Sequence, residues 1–92
     1  MLTPVLKKSF IRDFNLALKR GKSRAKIERT IKLLCEQKPL PPSFRDHDLK
    51  GEWSGFRDCH VEPDLVLIYR IIHGQLQLVC IHLGTHSDLF GH

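Results

Sequence analysis

The chain has 92 residues, of which 41% are hydrophobic and 27% charged. That is a globular composition on a length that bounds it to one domain spanning 1–92, and no apolar run approaches the roughly 18 residues needed to cross a bilayer. Fifteen lysines and arginines face ten aspartates and glutamates, a formal +5, so a polyanionic partner is favoured: nucleic acid first, an acidic protein second, an anionic membrane third.

Leu2 to Leu6 is short and apolar but contains Pro4, which suits an edge strand because a missing N–H is tolerated there. Phe10, Phe14, Ala17 and Leu18 follow the spacing of one helix face, and Gly21 stops that helix. Ser23 is placed to cap a second helix carrying Ile27, Ile31, Leu34 and Cys35, which ends before the extended connector Pro39-Leu40-Pro41-Pro42. Gly55 to Val61 reads as a strand, Glu62-Pro63-Asp64 as a turn, and Leu65 to Ile72 as a central strand covered on both faces. His73-Gly74 suits a two-residue hairpin turn, and Gln75 to Leu83 a further strand with Leu76, Leu78, Cys80 and His82 on one face, broken by Gly84. The order β-α-α-β-β-β predicts an α+β fold: an N-terminal edge strand and a helical hairpin packed on a mainly antiparallel sheet of three to four strands.

Cys35, Cys59 and Cys80 are sparse, odd in number and without a CxxC, which argues for a reducing compartment rather than a disulfide framework. The N-terminus lacks the layout of a signal peptide, so a cytoplasmic location is expected. Neighbours Cys59 and His60 point to opposite faces of a strand, and neither they nor Cys80 and His82 have zinc-ligand spacing, so no metal and no cofactor is expected.

Polar chemistry collects in two stretches, residues 46–64 and 82–92. Histidines suit proton transfer near neutral pH, and His, Asp and Arg without a nucleophilic Ser or Cys motif suit cleavage of RNA by its own 2′-hydroxyl. One group takes the 2′-OH proton, another protonates the leaving 5′-oxygen, and a cation stabilises the phosphorane.

The run His47-Asp48-Leu49-Lys50-Gly51-x-Trp53-x-Gly55-Phe56-Arg57-Asp58-x-His60-Val61-Glu62-Pro63-Asp64, then Leu67-Ile68-Tyr69 and Gly84-Thr85-His86-x-x-Leu89-Phe90, resembles the YafQ branch of the RelE/ParE toxin superfamily. The likeness is dense over residues 46–91; the first 45 match in layout alone. It implies a RelE-like fold and the toxin of a type II toxin–antitoxin pair, a ribosome-dependent endoribonuclease that cuts mRNA in the A site. Its partners would be mRNA, ribosomal RNA and a DinJ-like antitoxin, with DNA reached only through the antitoxin and no membrane. Carried over, the resemblance makes His47, His60, Asp64 and His86 catalytic. His86 would be the proton donor, His47 or His60 the base, and Asp64 would orient a histidine. Lys50, Arg57, Asp58, His82 and Phe90 would bind RNA, Phe90 by stacking on a base. The chain departs from the family at His82, where relatives carry arginine, so Arg57 and Lys50 are expected to supply the phosphate charge.

Trp53 is expected to be a lid over the sheet edge, His73 a turn residue and His92 a solvated terminus. The competing reading is a ParE-like toxin that binds gyrase without chemistry, and the His47, His60 and His86 trio, which a pure binder does not need, separates the two.

Overall fold

A computed structural model describes residues 1–91, leaving His92 and its expected role outside the described residues. The elements are β1 (Thr3–Leu6), α1 (Lys8–Lys19), α2 (Arg24–Cys35), β2 (His47–Asp48), β3 (Arg57–Glu62), β4 (Leu65–Ile72), β5 (Gln77–Gly84) and α3 (His86–Phe90). The helix signals act where the sequence puts them. Gly21, at φ +83°, ends the turn after α1, and the Ser23 side chain accepts from the Lys26 N–H at 3.2 Å to start α2. Gly55, at φ +93°, cannot lie in an extended strand, so β3 begins two residues later than the composition suggests.

The strands form one sheet in the order β1-β5-β4-β3-β2, with β1 parallel to β5 and the other pairs antiparallel. β1 is an edge strand, as Pro4 requires. The sheet has five strands because His47 and Asp48 add a two-residue strand at the far edge, too short to carry a periodic signature. β1 covers only the first half of β5; beyond it α1 takes over, with Ser9 Oγ donating to the Ile81 carbonyl at 2.6 Å and Asp13 accepting from the Leu83 N–H at 3.1 Å.

One face of the sheet carries the core. Cys59, Leu67, Tyr69, Leu78, Cys80 and Leu83 pack against Phe10, Ala17, Ile27 and Leu34 of the helical hairpin. His82 does not join this face as expected. The pairing of β4 with β5 slips between Ile68 and Tyr69, since Tyr69 opposes Cys80 while Ile68 opposes His82, so Ile81 is an extra residue. Period-two alternation therefore reverses after Cys80: Leu83 takes the core side and His82 moves to the opposite face. The turn before β5 also differs. It is a 3₁₀ turn over His73–Gln75 followed by Leu76 in the left-handed region (φ 51°), which leaves Leu76 exposed instead of on the core face. Among the described residues, no helix is long and apolar enough to cross a membrane.

Candidate active site

The register aligns the polar residues in rows on the face away from the helical hairpin. His47 opposes Asp58, Asp58 opposes Ile68, and Ile68 opposes His82; one step along, His60 opposes Val66 and Val66 opposes Gly84. Residues two apart share a face, so Asp58 and His60 stand together, as do His82 and Gly84. The chain then turns into α3, where Thr85 and Asp88 form a reciprocal capping box that starts the helix at His86. The His86 ring comes to 5.8 Å from that of His60 and 5.0 Å from that of Phe90, centroid to centroid. Histidines from both polar stretches thus meet on one open face, with His47 and His86 exposed and His60 half-buried.

Asp58 sits beneath them, 1% exposed. His47 Nδ1 lies 3.1 Å from Asp58 Oδ1, but its N–H is directed at the Arg45 carbonyl at 2.7 Å, and among the described residues Asp58 Oδ1 has no hydrogen-bond partner. Burial pushes the Asp58 carboxyl above its ordinary range, against the opposing pull of His47, His60 and His86. His60 Nδ1 donates to the Pro63 carbonyl at 3.3 Å. A carbonyl only accepts, so His47 and His60 both carry their proton on Nδ1 when neutral and keep the Nε2 lone pair free for a substrate proton. His86 differs, being held by the His60 and Phe90 rings.

Two expected members are engaged elsewhere. Among the described residues Asp64 orients no histidine: its carboxylate takes Lys22 Nζ at 2.6 Å, which holds it below the usual carboxylate range. The turn that carries it points it at α2's leading loop, and Asp58 is the carboxylate that faces the histidines. Arg57 is not a free cation. Its Nη1 donates to Asp48 at 2.5 Å, its Nη2 to Asp46 at 3.0 Å and its Nε to the Tyr69 hydroxyl at 3.3 Å, while that hydroxyl donates to Asp46. The Asp46 hydrogen bond, more than burial opposes it, holds Arg57 firmly protonated. Lys50 stands exposed before the 3₁₀ turn Gly51–Trp53.

His82 reaches the site's edge, where the Trp53 ring meets it edge-on at 5.9 Å; the same Trp53 ring meets Phe90 edge-on at 6.3 Å. Trp53 therefore lids the open face and not merely a sheet edge, and Phe90 forms part of the same aromatic wall. Sequence reasoning missed Asp13, which accepts from His82 Nδ1 at 3.1 Å while anchored by the Leu83 N–H. Nothing in the α1 pattern marks it except an acid on the helix flank nearest β5. The thiols take no part: burial pushes Cys80 up to about 12 and raises Cys35 and Cys59, so none is a thiolate near neutral pH.

A family model described as the bacterial toxin YafQ of type II toxin–antitoxin systems matches residues 2–91. An Escherichia coli K12 protein named mRNA interferase toxin YafQ is 42% identical over 83 residues, which cover 89% of this chain and 88% of that protein. A copper-bound mutant toxin from Helicobacter pylori is 42% identical with a TM-score of 0.91, covering 98% of this chain and 100% of the other. YafQ in the E. coli DinJ–YafQ complex is 38% identical with a TM-score of 0.87, covering 99% of this chain and 100% of the other. Among the described residues, no three His, Cys, Asp or Glu side chains are grouped so as to hold a metal ion.

Proposed function

The chain belongs to the YafQ family of bacterial type II toxins, and from that premise we propose how its own residues carry out the reaction. It is the toxin of a toxin–antitoxin pair and an mRNA interferase, an endoribonuclease, and its protein partner is a DinJ-like antitoxin. A gyrase-binding role without chemistry is not favoured, since the curated relative is named an mRNA interferase.

The observation that carries the mechanism is the meeting of His47, His60 and His86 over buried Asp58 on an open, Trp53-lidded face. The substrate is mRNA in the ribosomal A site. His47 or His60 takes the 2′-OH proton on its free Nε2. The 2′-oxygen attacks phosphorus, the bond to the 5′-oxygen breaks, and His86 supplies the proton that oxygen needs. The products are a 2′,3′-cyclic phosphate and a 5′-hydroxyl, so protons and charge balance with no co-reactant. Asp58 lies close enough to all three histidines to stabilise whichever is protonated as the proton moves. Asp64, paired with Lys22, flanks His60 across the turn and steadies the segment through which His60 is anchored at Pro63. Lys50 and His82 contact the RNA backbone, Phe90 packs on a base, and the exposed cations of α1 and α2, among them Lys8, Arg12, Arg29 and Lys32, meet ribosomal RNA. The chain works in the cytoplasm, where ribosomes and antitoxin are found together.

Primer extension on mRNA after induction tests this. Wild type should produce discrete new 5′ ends and His86→Ala should lose them by about a hundred- to ten-thousand-fold while still binding antitoxin. Undiminished cutting by His86→Ala would remove it as the acid, and DNA damage without mRNA cutting would restore the gyrase reading.

A further inference from the structure

We infer that Arg57 is a positioning residue that fixes His47 through the two carboxylates on either side of it. The inference rests on the reading of His47 as a catalytic group. Within β2, His47 opposes Asp58 and Asp48 opposes Arg57. Alternation then sends His47 to the open face with Asp58, and sends Asp48 to the other face with Arg57. Arg57 opposes Tyr69, whose side chain belongs to the core under the helical hairpin and is 1% exposed. The space around Arg57 is a cleft on that same side, lined by Leu34, Leu40, Asp46, Tyr69 and Ile71. A guanidinium placed behind the sheet cannot clamp a phosphate that lies in front of it.

What the guanidinium does instead follows from its geometry. Nη1 takes Asp48 and Nη2 takes Asp46, the residues immediately before and after His47, and Nε reaches the Tyr69 hydroxyl. Tyr69 closes the ring by donating to Asp46. All three guanidinium nitrogens are therefore spent on the protein itself. β2 offers only two residues of ladder, with the Leu49 N–H to the Phe56 carbonyl at 2.9 Å beyond it. A ladder that short leaves an exposed edge residue loosely held. The planar fork gripping both neighbours supplies the missing constraint, and the buried Tyr69 ties it to the central strand. Lysine, a single point charge, cannot hold two carboxylates in that plane.

The test uses Arg57→Lys and Asp48→Ala; the Asp48 side chain is 78% exposed, so its removal leaves the fold intact. Two measurements are made on each: ¹⁵N–¹H spectra of the histidine rings, and single-turnover cleavage of mRNA on ribosomes with RNA affinity measured separately across a salt series. Both variants should shift or broaden the His47 ring signals and leave His60 and His86 in place. Cleavage should slow by about 10- to 100-fold, as expected for a catalytic group displaced by about an ångström, at unchanged affinity. Unchanged His47 signals overturn the inference, and so does a loss of affinity that steepens with salt, the mark of a direct phosphate contact. If wild type cuts no mRNA the nuclease reading fails, while the ring spectra still decide whether Arg57 holds His47.

Discussion

The two faces of the sheet are made from the same three strands and do opposite work. Behind, Cys59, Leu67, Tyr69, Cys80 and Leu83 are sealed under helices. In front, Asp58, His60 and His82 alternate with them, one residue away along the chain, over a floor of buried Val66, Ile68 and Val79. A strand assigns its residues to either side by parity alone, so packing and chemistry are interleaved at single-residue spacing. One device changes that parity and another secures it: the extra residue Ile81 brings His82 forward, and the Arg57 fork grips Asp46 and Asp48 behind, on either side of forward-facing His47.

Substitutions on the two faces should separate activity from stability. The largest effect is expected in front. His60→Ala should lower single-turnover mRNA cleavage by about a hundred- to ten-thousand-fold with urea unfolding close to that of wild type. Behind, Leu67→Ala empties a fully buried site and should cost about 2–5 kcal/mol in the same unfolding experiment. A destabilising His60→Ala with activity retained would erase the distinction.

Asp58 belongs to both accounts, being buried like the back face and charged like the front. Its folded carboxyl lies above its unfolded value, so folding favours the protonated form. Stability from this group is complete below the unfolded value of about 3.9 and is lost as pH rises through the folded value. Asp58→Asn should therefore gain stability relative to wild type as pH rises above the unfolded carboxylate value, measured as the difference in unfolding free energy, while its cleavage falls. A difference that runs the other way would mean that the histidines hold Asp58 ionised. The smallest effect is expected at the tail. Thr85→Ala removes the hydroxyl that accepts from the Asp88 N–H and should cost about 1 kcal/mol. Because that cap starts the helix that carries His86, amide exchange in α3 should rise and cleavage should fall more than global stability does.

Much of this was legible in the sequence. The helix faces, the caps at Gly21 and Ser23, the central strand and the convergence of the two histidine stretches all follow from spacing and motif. What escaped depends on contacts between distant residues or on a single added one. Ile81 looks like any strand residue, and only the pairing of Ile68 with His82 shows that it is surplus. Arg57 reads as a clamp until Asp46 and Asp48 fold back on it, and Asp64 reads as a histidine partner until Lys22, 42 residues earlier, claims it. Asp13 meets His82 across 69 residues, a distance no local pattern spans.

The sealed thiols bear on how the motion of this chain can be followed. Cys35, Cys59 and Cys80 are buried, so a maleimide dye offered to the folded protein should leave all three unlabelled. A cysteine introduced at exposed Glu52, in the turn that bears Trp53, becomes the single reactive handle. A fluorophore there would report directly on whether the aromatic lid lifts when RNA arrives.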